Sequence, residues 1–485
     1  MLFNSIEFFV FLPIIFVLYW FVFNKKINNQ NALVLIASYF FYGWWSWKFM
    51  CLLMLSTCLD YGYGFWVASP NRNKAKIFLW LSVINNLGVL AVFKYYNFFA
   101  TEFQSGLALL GLKTNFVLLH FALPVGISFY TFHGMSYVFD IYRGHQKPVK
   151  SFIEYAVFVS FFPLLVAGPV ERASHLLPQV QRKREFNYTQ AVEGCRLMLY
   201  GLFKKMVIAD SLANIVDGIF GKYENYNAYT LLIGAIAFSF QIYADFSGYS
   251  DIALGTAKLF GFELLSNFKF PYFSRDVAEF WRRWHISLSS WFRDYLYIPL
   301  GGSKEGKYKA IRNTFIIFLV SGFWHGASWN YIAWGFVHAC GFLPLLLLNR
   351  NRKYVSSVVA EDRKIPNLRE LWQIGMTFVF VTFAWIFFRA NNMKIAIDYI
   401  GKIITDTIQN PSQFLILPQG KMVFVYAIAL LLFDWPLRRN EKSLKFSNSE
   451  GVRYAIYTLL IIAIFTVFVL DYLNDKGQDF IYFQF

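Results

Sequence analysis

Three stretches of the 485-residue sequence place groups capable of chemistry inside runs that are otherwise apolar. Residues 241–255, QIYADFSGYSDIALG, carry Asp245, Ser247, Tyr249 and Asp251. Residues 274–302, SRDVAEFWRRWHISLSSWFRDYLYIPLGG, interleave Arg282, Arg283, His285, Arg293 and Asp294 with aromatic side chains. Residues 321–330, SGFWHGASWN, set Trp324 and His325 between the apolar runs 311–323 and 331–348. Ionisable and polar groups at membrane depth are costly, so each is a functional candidate by default.

His325 is the first candidate for a reacting group. A neutral imidazole accepts a proton from an alcohol or orients it, and its ordinary pKa suits work near pH 7. Gly322, Gly326, Ala327 and Ser328 around it are small and leave space for a substrate or for another backbone. A single buried imidazole also serves as a bond between two helices, and residue type alone leaves both readings open. Among the other histidines, His133 in FYTFHGMSY either lines a cavity or packs in a helical core. His120 and His338 read as polar tips in helical cores or at span ends, and His145 and His175 as solvated members of basic loops.

The elements that must hold these residues are membrane helices. Only 15% of the residues are charged, 57% are hydrophobic and 21% aromatic, whereas soluble domains carry about 25% charged residues. Apolar runs recur at 8–23, 77–92, 315–323, 376–388, 422–433 and 454–470. A helical crossing needs roughly 20 such residues, which the shorter runs reach with their flanks. The composition predicts an all-α polytopic membrane protein with one membrane-embedded domain, residues 1–485, in contact with the lipid bilayer. The net charge of +16 sits in short Lys/Arg clusters between the runs, as in cytoplasmic loops, and argues for no nucleic-acid partner. Placing those clusters in the cytoplasm puts the N-terminus outside and gives about 11 crossings. Residues 152–169 lie between two basic clusters and are expected to be re-entrant or interfacial. Read as one helix, residues 274–302 put Arg275, Arg282, His285 and Arg293 on one face and Phe280, Trp284, Leu288 and Trp291 on the other. That is an amphipathic helix at the cytoplasmic interface, broken by PLGGS. Cys51, Cys58, Cys195 and Cys340 lack metal-ligand spacing and read as small core residues, with no metal expected. The start, MLFNSIEFF, reads as a retained signal anchor.

Four motifs, taken in order, carry a family resemblance. DFSGYSD at 245–251, EFWRRWHIS at 279–287 followed by WFRDYLYIPLGG at 291–302, and SGFWHGA at 321–327 resemble the membrane-bound O-acyltransferase family. The resemblance is to the bacterial branch that contains the alginate O-acetyltransferase membrane subunit. LVAGPVERA at 165–173 and the closing FIYFQF fit the same order, so it extends over essentially the whole chain.

The resemblance implies a ring of membrane helices, with re-entrant and interfacial helices, around a thinned centre pierced by a tunnel. It implies that His325 is catalytic and that His285 is the second signature residue supporting the site. It implies a cytosolic acetyl-CoA donor, no bound cofactor, and a periplasmic acetyltransferase partner of the SGNH-hydrolase type that modifies a polysaccharide from the bacterial inner membrane. A thioester is already activated, leaving the enzyme to supply a base, alignment and oxyanion stabilisation. Arg282, Arg283 and Arg293 then either attract the CoA phosphates or anchor beside lipid headgroups. Asp245 and Asp251 either orient a histidine or pair with an arginine, or they tie helices together; Asp294 and Tyr295 stay equally open. Within the family, D-alanyl transfer to teichoic acids and peptidoglycan O-acetylation are alternatives. A transporter would show paired repeats with broken helices, which the sequence lacks, and a scaffold would need no histidine at membrane depth.

Overall fold

Polar residues placed before apolar runs start many of the helices. Ser5, Ser46, Asn71 and Ser151 each accept a backbone N–H of the following first turn, satisfying donors that a helix start leaves open. The computed structural model describes residues 1–112, 114–119, 122–166, 168–410, 420–439, 444–474 and 480–481. Among these residues regular structure is helical throughout. They divide into two compact units, Met1–Cys195 with Ala253–Leu265, and Arg196–Ile252 with Ser266–Phe485.

The first unit contains α1 Ile6–Val17, α2 Ile27–Gly43, α3 Trp47–Val67, α4 Arg72–Leu90, α5 Tyr96–Leu109, α6 Ile127–Tyr142, α7 Phe152–Ser160, α8 Phe162–Leu165 and α9 Ala173–Gln181. Nine-residue α7 is about 13 Å long at 1.5 Å per residue, against a hydrocarbon core of about 30 Å. It does not cross, and its side chains from Tyr155 to Ser160 are buried within the unit. The following α8 has only four residues, Phe162–Leu165. Buried Arg184 donates to Asn31 Oδ1 at 2.6 Å, to the Gln179 and Val180 carbonyls and to the Tyr19 hydroxyl. One guanidinium thus joins three segments.

The chain continues with α10 Tyr188–Leu202, which passes through a π-helical stretch Phe203–Asp210 into α11 Ser211–Gly221. Then come α12 Ala228–Leu259, the short α13 Val277–Arg283 and α14 Ile286–Phe292, and the pair α15 Lys307–His325 and α16 Trp329–Leu347. Helices α17 Leu368–Arg389, α18 Met393–Gln409, α19 Met422–Leu437 and α20 Glu450–Asn474 complete the described fold. Among the described residues six helices are long and apolar enough to cross a membrane, with two shorter apolar ones at Ile6–Val22 and Met422–Leu437. These eight are fewer than the 11 crossings expected. Helices such as α15, with Lys307, Lys309 and Arg312 in its first turns, mix charge into otherwise apolar runs.

Two expectations are corrected. All four cysteines are free and exposed on the protein surface rather than in the core; a small side chain on an apolar outer face reads the same in sequence as one inside. Residues 274–302 do not form one amphipathic helix. They break at Trp284–His285, and Arg275, Phe280, Trp284, His285 and Leu288, drawn from both supposed faces, are all buried, while Arg293 is exposed. Gly301 and Gly302, both with positive φ, end the segment as the PLGGS run suggested. His120, residues 411–419 and the last four residues of FIYFQF lie outside the described residues.

Candidate active site

Helices α15 and α16 meet backbone to backbone, and two glycines permit it. A Cβ on Gly322 would stand 2.2 Å from the Tyr331 carbonyl oxygen, and one on Gly335 would stand 2.2 Å from that of Phe318. Any side chain there forces the helices apart. Asn330, in the first turn of α16, donates to the Phe387 and Ala390 carbonyls at 3.1 and 2.7 Å, fixing the hairpin to the end of α17. His325 is the last residue of α15 and is buried. Its ring lies 4.9 Å from Trp324, 5.2 Å from Trp334 at 88° and 5.3 Å from Phe388.

His285 reaches the same place from the break between α13 and α14. Its backbone is left-handed, φ 42° and ψ 54°, a conformation costly for a residue with a Cβ and concentrated at functional sites. The neighbouring backbone is pinned there: Ile286 N–H donates to the Asn267 carbonyl at 2.9 Å, and the Ser287 hydroxyl meets Asn267 Oδ1 at 2.5 Å. The buried His285 ring packs edge-on against Phe246 at 4.7 Å, 6.2 Å from Trp324 and 6.4 Å from His325. Burial pushes its imidazole down to about 3, so it is neutral at physiological pH. The two histidines and Trp324 expected at the site are together.

The expected donor-binding residues separate into different environments. Arg283 is held by Glu279, at 2.9 Å through Nη2, and Arg275 lies on the same carboxylate at 3.0 Å. A guanidinium already matched by a buried carboxylate is poorly placed to take a phosphate, which argues against Arg283 as a phosphate ligand. Arg282 donates to the Asn351 carbonyl at 2.7 Å. Arg293 forms a 2.8 Å pair with Asp294 and is 63% exposed. It lines a cavity of about 510 Å³ with Arg352, Asn349, Tyr297, Phe318 and Phe342. Phe318 precedes His325 by seven residues on the same face of α15, about 10 Å along the axis.

DFSGYSD lies in the middle of α12 and binds lysines rather than a histidine or an arginine. Lys204 pairs with Asp251 at 2.6 Å, and Lys205 pairs with Asp210 at 2.8 Å and Asp245 at 3.0 Å. Asp245 also accepts the Ile481 N–H at 2.7 Å. Asp434 accepts from the Tyr200 and Tyr243 hydroxyls at 2.6 and 2.8 Å. Ser247 and Tyr249 are fully buried, with Tyr249 4.1 Å from Phe480. Asp245 and Asp251 of this motif hold segments together, and its Phe246 is what reaches His285. Sequence reasoning missed Lys204, Lys205, Asp434 and Phe246. The adjacent lysines in LYGLFKKMVIAD sit within an apolar run, the signal already used for His325.

His133, His145 and His175 lie in the first unit. His133 is buried and accepts the Glu171 N–H at 3.1 Å through Nε2. His175, expected to be solvated, pairs with buried Glu171 at 2.7 Å, while His145 is exposed. Among the described residues no three His, Cys, Asp or Glu side chains group as metal ligands.

Two imidazoles in an aromatic enclosure, one at a helix end and one on a strained turn, fit proton transfer at a carbonyl. The sequence model of the membrane-bound O-acyltransferase family matches residues 135–389. A probable alginate O-acetylase of Pseudomonas putida is 35% identical over 501 residues, covering 99% of both chains. That of Pseudomonas aeruginosa is 40% identical over 395 residues, 81% of this chain and 72% of the relative. A peptidoglycan O-acetyltransferase of Helicobacter pylori is 35% identical over 435 residues, 83% and 80%. The chain belongs to the membrane-bound O-acyltransferase family: it is a multi-pass membrane O-acyltransferase.

Proposed function

We propose that this enzyme moves an acetyl group from cytosolic acetyl-CoA across a bacterial inner membrane, by way of a periplasmic partner acetyltransferase, to an extracytoplasmic polysaccharide. The observation that carries the reading is the buried pairing of His325 and His285, ring centres 6.4 Å apart. The similarity to probable alginate O-acetylases along nearly the full chain supports acetyl as the group transferred and a polysaccharide as its destination. The basic residues at 304–312 and 350–353 set the cytoplasmic side by the positive-inside rule, with the N-terminus periplasmic. The 510 Å³ cavity is lined by Arg293, Asn349, Asn351 and Arg352 and offers guanidinium and amide groups to the donor's phosphates.

His325 takes the proton of the acceptor hydroxyl as the oxygen attacks the thioester carbonyl. The carbon–sulfur bond of the tetrahedral intermediate then breaks, and the imidazolium returns the proton to the departing thiolate. His285 is placed to position the acceptor or His325 itself. The aromatic walls exclude water, which protects the thioester from hydrolysis. Peptidoglycan as the acceptor is favoured by the Helicobacter pylori relative. The test is a proteoliposome loaded with radiolabelled acetyl-CoA on one face, with the partner enzyme and candidate polymers on the other. Alkali-labile label on a polysaccharide is expected, and label on peptidoglycan alone would select the second acceptor. No label on any polymer would overturn acetyl transfer.

A further inference from the structure

The site needs a hydrogen-bond donor for the oxygen that becomes negatively charged, and helix α16 supplies a candidate. Trp334 is fully buried, yet its indole N–H meets no acceptor among the described residues. Its ring stands perpendicular to that of His325, centres 5.2 Å apart. It is clamped by Phe388 at 5.2 Å and, nearly parallel, by Trp385 at 5.6 Å. A buried donor left without a partner is costly, because it has lost its hydrogen bonds to water. Such a group calls for an explanation, and a catalytic role completed by substrate is one.

One turn further along α16 lies a second donor of the same kind. His338 accepts the Trp281 N–H through Nδ1 at 3.2 Å. An indole nitrogen only donates, so the proton of the neutral imidazole resides on Nε2. His338 Nε2 likewise has no acceptor among the described residues. The His338 ring lies 6.3 Å from Phe318, a wall of the 510 Å³ cavity, and 5.0 Å from Trp334. From the cavity toward His325 the order is therefore Phe318, His338, Trp334.

We propose that the Trp334 indole N–H binds the thioester carbonyl oxygen and stabilises the oxyanion formed when the acceptor attacks, making Trp334 a catalytic residue. The assignment rests on the acyl-transfer reading above. Attack forms the new carbon–oxygen bond and converts the carbonyl to an alkoxide, with the proton on His325. Collapse expels the thiolate, which recovers that proton, so Trp334 gives up no atom. Trp334 stands nearer to His325 than does His338, which places it at the carbonyl and His338 along the donor's arm.

Deleting one preorganised oxyanion donor lowers kcat about 10²- to 10³-fold. Trp334→Phe keeps an aromatic ring and removes the N–H. Replacement by 3-benzothienylalanine keeps the bicyclic shape with sulfur in place of nitrogen. Wild type is first shown to turn over acetyl-CoA in the proteoliposome assay; its failure there sinks the acetyl-transfer reading along with the assignment. With wild type active, both variants are expected to lose about 10²- to 10³-fold in kcat, with KM for acetyl-CoA within about threefold. Turnover by the benzothienyl variant within about threefold of wild type overturns the role of Trp334 alone. That near-isostere also decides the matter if Trp334→Phe fails to fold.

Discussion

The imidazoles of His285 and His325 lie 6.4 Å apart at 55°, and they are carried by backbones of opposite character. His325 ends a regular helix, whereas His285 occupies a left-handed turn between two seven-residue helices. The proposed base is His325. His325→Ala is expected to insert normally and to lose about 10²- to 10⁴-fold in transfer rate, the range of general acid–base catalysis. Membrane yield, thermal melting and transfer of radiolabelled acetyl check it. Retained transfer would remove His325 from the mechanism.

His285 predicts a pH effect on stability whose sign is fixed. The folded imidazole titrates near 3 and the unfolded one near 6.5, so between those values the unfolded chain binds the extra proton. The contribution is full above about pH 6.5 and is lost as pH falls toward 3. The melting temperature of wild type is therefore expected to drop more steeply from pH 7 to pH 4.5 than that of His285→Gln. Parallel curves would show that His285 is not buried as a neutral ring.

Much of this was legible in the sequence, for physical reasons that also mark the limits. Hydropathy reports burial in lipid or protein, so α17 and α20 were visible, as was the cost of a histidine at membrane depth at His325. Helical periodicity carries no information about φ, so the left-handed break at His285 was invisible and residues 274–302 read as one helix. Lys204 and Lys205 are both buried, whereas by residue type alone lysine marks a cytoplasmic loop. Contacts such as Trp334 on His325 depend on glycine-set distances across the hairpin, a tertiary property that spacing alone does not state.

That hairpin geometry predicts a strong effect from one methyl group. Gly322→Ala puts a carbon 2.2 Å from the Tyr331 carbonyl oxygen, which forces α15 away from α16 and carries His325 with it. A displacement of about 1 Å at a reacting group costs on the order of 10²-fold in rate. Gly322→Ala is expected to lose that much kcat. Gly106→Ala, whose Cβ meets nothing within 4 Å, should leave kcat unchanged. Equal activities would show that the backbone contact does not set the site.

The buried Lys205–Asp245 pair predicts non-additive losses. Lys205 is nearly inaccessible and lies on two carboxylates at 2.8 and 3.0 Å. Removing one member of a buried pair strands the other charge and costs about 3–5 kcal/mol, whereas removing both is far milder. Lys205→Met is expected to melt well below wild type in detergent, and Lys205→Met with Asp245→Asn to regain part of that loss. Additive melting shifts in the double-mutant cycle would show that the charges are not coupled.

The arginines predict a division between binding and architecture. Arg293 and Arg352 line the 510 Å³ cavity, and Arg293 is 63% exposed, so solvent and salt screen its contribution. Exposed ion pairs contribute at most about 1 kcal/mol. Arg293→Ala and Arg352→Ala are therefore each expected to raise KM for acetyl-CoA by up to about fivefold, with kcat nearly unchanged. Asp294→Asn removes the carboxylate that holds Arg293 and should lower KM, in the opposite direction. Arg283 is matched by Glu279 inside the protein, so Arg283→Ala should lower the melting temperature rather than change KM in the molecules that fold. Kinetics across 50–300 mM salt separate these outcomes, because the KM effects of Arg293 and Arg352 fade with added salt while the stability loss at Arg283 persists. A large KM effect at Arg283 with unchanged melting would reverse the assignment and put the donor's phosphates beside α13.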